Sequence, residues 1–501
     1  MQANKSNLEN NSYTNTNAAT KAIEMKRFVE NFLANPLSRK ILWRITKNNR
    51  LERILNYYAH KNTKKIKLGL SDYIIYLIVK LIIDRFKAST ALSDEIVMQH
   101  LSDGVWRKGV SLTLEGIAKF GLRKPFITTA PFLVVWNVTK ICNLRWKHCY
   151  ENADVKAENE LTTAEALKAV DKMAEAGVAY IALSGGEPLM RKDWYKIARR
   201  IKKHEMGFSI ATNGTLLTKE NVKKLKKANC LYVQVSLDAA NKKLHNYFRG
   251  ANTFERTIEG IQNLVEEGIT TGIASTITRL NYNEVPKLID LAENLGVDIW
   301  MHYNFIPVGR GTEIRKLDIT ANQREKLLQY IAKRSQRSKI SLLSTAPQYA
   351  RVCMQTIGHV KATHFDVFSD KDESIVGYLA DFIGGCGAGR LYCAVEPDGT
   401  IEPCVFMPIR IGNILHDDLR KLWVENEILN KIRNRESFDV CSSCDFRNVC
   451  GGCRARSYAY FGRVDAADTG CINYKKKNRK RKLTKIAIRK VASSRIRGKK
   501  A

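Results

Sequence analysis

The sequence has no apolar run able to cross a membrane. Its longest, Tyr73–Ile83, is 11 residues, contains Lys80 and is fenced by Asp72 and Asp84, whereas a spanning helix needs about 20. No secretory signal is visible. Met1–Thr20 is polar and Asn-rich, without an apolar stretch, which predicts a cytoplasmic protein. Acidic residues are in deficit, 50 Asp+Glu against 83 Lys+Arg, for a formal net charge of +33. The deficit is local. Residues 474–501 hold 14 basic and no acidic residues, residues 1–130 carry a net +12, and 131–473 carry only +7. Such charge invites nucleic-acid or anionic-membrane contact, but through the two appendages rather than the middle. No aromatic follows Tyr474, so the tail offers bases no stacking platform. Its sparse apolar points, Leu483, Ile486, Ile488 and Val491, leave a lipid anchor, a nucleic-acid contact and a solvated tail all open.

What is present points to a large core and to metal. Apolar residues make up 44% of 501, which excludes wholesale disorder and allows about three domains. Twelve cysteines in a chain this long do not make a small disulfide scaffold. In a reducing compartment, clustered cysteines usually mean metal. Residues 1–20 read as a disordered tail. Residues 21–124 read as a helical domain, with clusters such as Phe28, Phe32, Leu37 and Leu42 between Lys and Arg. Its basic surface is either a solvated face or a platform for a membrane or partner.

From Pro131 strands and helices alternate. The predicted strands are Leu133–Thr139, Ala179–Leu183, Gly207–Ala211, Leu231–Leu237, Thr271–Ile277 and Asp298–Phe305. Thr162 and Glu165 form a capping-box pattern that opens a helix through Ala176. Repeated βα units imply parallel strands. The predicted fold class is α/β: a partial (β/α)6 TIM-like barrel over residues 131–340, with the N-terminal helical domain and a small cysteine-rich C-terminal domain. Ligands then gather at the carboxyl ends of the strands. Residues 341–385 connect to the cysteine-rich part at 386–473, and 474–501 form the basic tail.

The first predicted strand runs into Cys142-Asn-Leu-Arg-Trp146-Lys-His148-Cys149-Tyr150. This loop resembles the radical S-adenosylmethionine (SAM) superfamily, whose loop is C-x3-C-x2-C. Cys142 and Cys149 match the outer positions, and Trp146 stands at the middle one. The resemblance implies a [4Fe–4S] cluster on three thiolates, with SAM chelated at the fourth iron and cleaved to a 5′-deoxyadenosyl radical. Indole has no lone pair for iron. Trp146 therefore means a lost cluster, a weakened variant cluster, or a changed residue, since Cys and Trp codons differ by one base. Ser184-Gly185-Gly186-Glu187-Pro188 resembles the family's GGEP motif, whose backbone meets the methionine end of SAM. By the same resemblance Asn213, Ser236 and Asp238 lie at SAM-binding strand ends, the last two near the ribose. The segment His245-Asn-Tyr-Phe-Arg249-Gly250 resembles one whose arginine meets the SAM carboxylate, which implies that role for Arg249, and its fork is suited to it. His302, Asn304 and Arg310 face either substrate or a polar barrel interior.

Eight cysteines fall at Cys386, Cys393, Cys404, Cys441, Cys444, Cys450, Cys453 and Cys471, with Gly399 five residues before Cys404. The spacing resembles the SPASM domain, which holds auxiliary iron–sulfur clusters. Eight thiolates suffice for two fully ligated clusters. Carried over from the family, Cys386, Cys393, Cys404 and Cys453 would hold one, and Cys441, Cys444, Cys450 and Cys471 the other. Zinc is the alternative for paired CxxC motifs. Cys230 reads as a buried structural thiol, and Cys353 lies in the connecting region.

The expected function is a radical SAM/SPASM oxidoreductase or maturase with [4Fe–4S] clusters and SAM, similar to heme-biosynthesis and peptide-maturase branches. The substrate would be a peptide, tetrapyrrole or other small molecule. The implied electron donor is a ferredoxin or flavodoxin. A degenerate iron–sulfur scaffold or electron carrier is the first alternative, with Trp146 as its motive. A nucleic-acid-binding protein using the tail is the second. No catalytic residue is singled out.

Overall fold

The structure is a computed structural model and describes residues 31, 35–60, 67–90, 93–359 and 383–474. The expected N-terminal tail, most of the connecting region and the basic tail lie outside the described residues. The chain divides into two compact units, one up to Phe132 with Gly177–Ala179, the other comprising the rest.

The described residues of the first unit are helical, as expected, while Phe28 and Phe32 lie outside them: α1 Pro36–Thr46, α2 Arg50–His60, α3 Leu70–Thr90, α4 Asp94–Ser102 and α5 Gly104–Phe120. Asn35 caps α1, its side chain accepting from Leu37 N at 2.8 Å, and Pro36 fills the first helical position without losing a bond. Leu51, Ile54, Leu55 and Tyr58 of α2 pack with Tyr76 and Val79 of α3 in a small core. The outer row of α3 has no such cover. Leu70, Tyr73, Ile74, Leu77, Ile78, Leu81 and Ile82 are all exposed, Leu70 by 81%.

The second unit is built on one ten-stranded sheet. Its strands and helices in order are β1 Leu133–Asn137, α6 Thr163–Ala176, β2 Tyr180–Ser184, α7 Trp194–Lys203, β3 Gly207–Thr212, α8 Lys219–Lys227, β4 Tyr232–Ser236, α9 Lys242–Arg249, α10 Phe254–Glu266, β5 Thr271–Ile277, α11 Val285–Asn294, β6 Ile299–Asn304, α12 Ala321–Ser335, β7 Ser341–Ser344, α13 Gln348–Ile357, β8 Tyr392–Val395, β9 Thr400–Glu402, β10 Gly412–Asn413, α14 Leu419–Glu425, α15 Glu427–Arg433 and α16 Arg454–Phe461. The capping box on α6 is present, with Thr162 N donating to Glu165 Oε2 at 2.9 Å.

The sheet order is β10-β9-β8-β1-β2-β3-β4-β5-β6-β7. All six expected strands are there, in sequence and parallel. The sheet stays open, since β7 and β10 are its two edges. It extends beyond the expected six. β7 adds a parallel strand to β6, and β8, inside the cysteine-rich part, lies parallel to β1. One face of the strands is fully buried by Val134, Trp136, Ile181, Leu183, Phe208, Ile210, Val233 and Val235. The other face is half-buried and more polar. Tyr303 Oη donates there to Gln234 Oε1 at 3.0 Å, across β5.

Candidate functional site

The cysteine loop leaves the end of β1 and is zipped to the segment after β2. Gly186 N donates to Thr139 O at 2.7 Å and Glu187 N to Ile141 O at 2.8 Å. The two glycines are needed there. Gly185 has φ +121°, and a Cβ on Gly186 would stand 2.1 Å from the Ile141 carbonyl oxygen. The backbone donors expected to meet SAM at Gly186 and Glu187 are thus already engaged with the loop. Glu187 is buried and accepts from Thr212 Oγ1 at 2.8 Å and Asn213 N at 2.8 Å. It ties the end of β2 to the end of β3. Burial pushes its pKa up to about 7, against these hydrogen bonds. Asn213 in turn donates to Asn143 Oδ1 at 2.8 Å, so β3 is also fastened to the loop.

Cys142 is half-buried and Cys149 buried. Burial raises the Cys142 thiol to about 11, and Glu187 and Cys149 add to the shift. Trp146 lies between them in sequence but is packed into a cluster of its own. Its ring is nearly parallel to His148, 5.8 Å between centroids. The Arg249 guanidinium lies 3.9 Å above it. Arg249 Nε donates to Asp238 Oδ2 at 2.6 Å, and His148 Nε2 is 3.2 Å from the same oxygen. Burial alone would raise the Asp238 pKa, but Arg249 and His148 hold it far below the carboxylate range. Asp238 Oδ1 accepts from Thr276 N at 2.8 Å. Asp238 and Arg249, expected at the ribose and the SAM carboxylate, are here each other's partners. Ser236 is half-buried at the end of β4.

Arg310 has a role that the sequence left between two readings. Its backbone N donates to Cys149 O at 3.0 Å. Its side chain donates to Trp146 O at 2.9 Å and Ala153 O at 3.0 Å. It braces the cysteine loop. His302 sits on the fully buried side of β6 with Trp300 and contacts Ser344 Oγ at 2.8 Å. Burial depresses its pKa to about 3, so it is a neutral core histidine. Asn304 accepts from Arg324 Nε at 2.8 Å.

The C-terminal cysteines form two neighbourhoods. Cys404 and Cys453 share a buried cluster with Ala388 and Tyr392, and Cys386 packs on its edge. Tyr392 Oη is 3.5 Å from Cys404 Sγ. Burial first, then the charge of Cys386, pushes the Cys404 thiol up, and burial, then the charges of Asp468, Cys386 and Cys404, raises Cys453. In the second neighbourhood Cys450 is raised by burial, then by Cys471 and Cys441, and Cys444 acts on Cys441. The structure does not bring Cys393 to the first set. It alternates with Tyr392 along β8 and so points to the opposite face of the sheet, paired in register with Val134. Its thiol is raised by burial alone. Cys230 is a buried structural thiol 3.4 Å from Tyr232 O. Cys353 is buried in α13.

Two donor sets therefore differ in how they suit iron–sulfur clusters. Beside Cys386, a small pocket is lined by Gly451 and Gly452 with Arg390, Arg435 and Arg454. Arg454 Nη2 is buried without a partner. A cysteine set beside three buried guanidinium groups suits a ligand of an anionic cluster. Among the described residues, no three Cys, His, Asp or Glu side chains are placed to hold a single metal ion. At the first loop the set is one thiolate short, and the third position is an indole.

Missed from the sequence was a group at the ends of β1, β8 and β9: Asn137, Glu151, Glu396 and Glu402. Asn137 Nδ2 donates to Glu151 Oε2 at 2.8 Å and to Glu396 Oε1 at 2.9 Å. Burial and then the Glu396 charge raise Glu151 to about 9 and Glu402 to about 8. No local motif announces this group, because Glu151 and Glu396 lie far apart in the chain.

The Radical SAM superfamily model matches residues 136–292, and the SPASM iron-sulfur cluster-binding domain matches residues 386–445. The AdoMet-dependent heme synthase of Methanosarcina barkeri is 36% identical over 351 residues, 69% of this chain and 97% of that protein. Mycofactocin maturase MftC of Mycolicibacterium smegmatis is 27% identical over 350 residues, 68% of this chain and 83% of that protein. In fold, the chain is similar to Streptococcus suis SuiB bound to S-adenosylmethionine, with TM-score 0.59 and 18% identity over 85% of this chain and 93% of that one. The motifs, the open parallel sheet and these likenesses agree: the chain belongs to the radical SAM superfamily with a C-terminal SPASM domain, a class of enzymes that work with [4Fe–4S] clusters and S-adenosylmethionine.

Proposed function

We propose that the chain abstracts hydrogen from a peptide, tetrapyrrole or other small substrate held over the carboxyl ends of its strands. SAM bound at a [4Fe–4S] cluster supplies the 5′-deoxyadenosyl radical for such chemistry. Gly185, Gly186, Glu187, Asn213, Ser236, Asp238 and Arg249 are the proposed SAM-side residues. Cys142 and Cys149 are the proposed ligands of the first cluster. Cys386, Cys404 and Cys453 are proposed for one auxiliary cluster, and Cys441, Cys444, Cys450 and Cys471 for the other. A ferredoxin or flavodoxin is the proposed electron donor. The observation that carries the reading is convergence. The cysteine loop, the GGEP segment and the ends of β3 and β4 meet at one end of the sheet.

One observation favours the second reading, an iron–sulfur scaffold or electron carrier without radical chemistry. Trp146 occupies the third ligand position and is itself clamped by His148 and Arg249. Anaerobic reconstitution decides between them. About twelve irons per chain with release of deoxyadenosine supports the enzyme, and about eight with none supports the scaffold.

We also propose that the protein works in the cytoplasm against an anionic membrane surface. The exposed α3 residues recur at i, i+3, i+4 and i+7 and so form one apolar face. Among the described residues no helix is long and apolar enough to cross a membrane. A face of this kind lies in an interface rather than spanning it. The basic surplus of residues 1–130 and 474–501 supplies the second signal that stable anchoring needs.

A further inference from the structure

Arg454 opens α16, directly after Cys453, and is 1% exposed. Its Nη1 donates to Val464 O at 3.0 Å and to Ala466 O at 2.9 Å. Its guanidinium carbon lies 4.1 Å from the centre of the Phe438 ring. These contacts hold the fork in place and leave Nη2 buried without a partner. Gly452, at φ +63°, shows where that nitrogen stands. A Cβ on Gly452 would lie 2.6 Å from Arg454 Nη2 and 3.6 Å from Cys441 Sγ. The nitrogen and the sulfur therefore border one gap, which the missing side chain keeps open.

The neighbouring polar groups are already spent. Asp468, whose Cβ borders the same gap, accepts from Gln348 Nε2 at 2.6 Å, Cys453 N at 2.8 Å and Gly470 N at 2.8 Å. Its Oδ1 also lies 3.4 Å from Arg456 Nε. Arg435, on the same pocket, donates Nη1 to Arg447 O and Asn448 O and Nη2 to Cys386 O. Among the described residues Arg454 has no ion pair. A buried guanidinium with an idle N–H is costly unless an anion meets it. The anion at hand is the thiolate form of Cys441. Burial raises that thiol, and the charge of Arg454 is the first influence that opposes the rise.

We infer that Arg454 is a positioning residue for the second auxiliary cluster: its guanidinium sets a positive charge and one unspent N–H against the Cys441 corner and so raises the reduction potential there. The inference rests on the reading that Cys441, Cys444, Cys450 and Cys471 hold a cluster, and deepens it by naming the residue that sets the electron affinity. The sign follows from charge. Reduction adds one negative charge beside a fixed cation in a dry surrounding, so the reduced form gains more than the oxidised form.

The test is a redox titration of the full chain, reconstituted anaerobically and followed by electron paramagnetic resonance. The second cluster's signal is the one that Cys441→Ala or Cys444→Ala removes. Arg454→Met and Arg454→Gln, compared with the wild-type chain at equal iron content, should each lower its midpoint potential by about 59 mV or more, which is tenfold in the ratio of reduced to oxidised cluster for one electron. Arg454→Lys, which keeps the charge, should recover at least half of that shift. A purely structural arginine would change iron content or stability and leave the potential of the loaded protein where it was. An unshifted potential in the neutral variants, or an Arg454→Lys potential as low as that of Arg454→Met, overturns the inference and leaves the cluster reading standing. If Arg454→Met does not fold, Arg454→Gln decides, since its amide can still donate to Val464 O or Ala466 O. If neither Cys441→Ala nor Cys444→Ala removes iron or a signal from the reconstituted chain, the cluster reading itself falls and takes the inference with it.

Discussion

At the scale of residues, Trp146 makes the sharpest claim. Its ring holds Arg249 at 3.9 Å and His148 at 5.8 Å, in a stack worth about 0.5–2 kcal/mol when partly desolvated. Trp146→Cys removes that stack and restores the third thiolate. We expect a small loss of stability before reconstitution, read by chemical denaturation. After reconstitution we expect about four more irons per chain and deoxyadenosine release. If the wild-type chain already binds the full complement, the substitution will add no iron. Glu187 makes a second claim. Its pKa rises from the usual 4.5 to about 7 on burial, so the folded state holds a proton that the unfolded state releases. Stability from this group is therefore present below about pH 4.5 and is lost as pH climbs toward 7, by at most about 3 kcal/mol. Glu187→Gln should flatten this slope. It should also cost about 1–3 kcal/mol, since the amide turns a donor toward Asn213 N or Thr212 Oγ1. A denaturation series from pH 4.5 to 7.5 checks both. The loop, the GGEP segment and Asn213 were legible because each is a short contiguous motif. Asn137, Glu151, Glu396 and Glu402 were not, because they meet only once β8 has paired with β1.

At the scale of elements, the six alternating strands and their helices were legible because each strand is bounded by a helix of clear period. β7 and β8 were not. Ser341–Ser344 and Tyr392–Val395 are four residues each, too short for a pattern, and Cys393 inside β8 reads by its spacing as a ligand. Its place in the sheet changes the prediction. Cys393→Ala should keep the auxiliary iron and sulfide content and lower stability by about 1–2 kcal/mol, through a small cavity beside Val134. Cys404→Ala should instead remove close to four irons, because Cys404 stands with Cys386, Cys453 and the Tyr392 hydroxyl. Equal iron loss in both variants would falsify the division of the thiols described above. The element that joins the two halves of this unit is α16. Arg456 and Tyr460 both reach Asp318, which also accepts from Arg324 at 2.8 Å. The cysteine-rich segment is thus tied to the strand-end loops by ionic contacts as well as by β8.

At the scale of the whole molecule, charge and apolar surface are distributed to the same purpose. The middle of the chain is nearly balanced, and the basic surplus lies toward its ends. The first unit adds seven large apolar side chains along one face of α3. Monomeric proteins seldom expose so continuous an apolar row without a use for it. Flotation with lipid vesicles tests that use. The protein should float with vesicles containing phosphatidylserine and much less with pure phosphatidylcholine, and added salt should release it. Ile74→Asp with Ile78→Asp should abolish flotation while changing stability by about 0.5 kcal/mol or less each, because both side chains already face solvent. Removing residues 475–501 should weaken binding without abolishing it, since the charge then comes from the first unit alone. If the Ile74→Asp, Ile78→Asp protein floats as before, the α3 face is not the contact. If the wild-type chain elutes as a dimer and the double variant as a monomer, with flotation unchanged, the face pairs copies of the chain instead of meeting lipid.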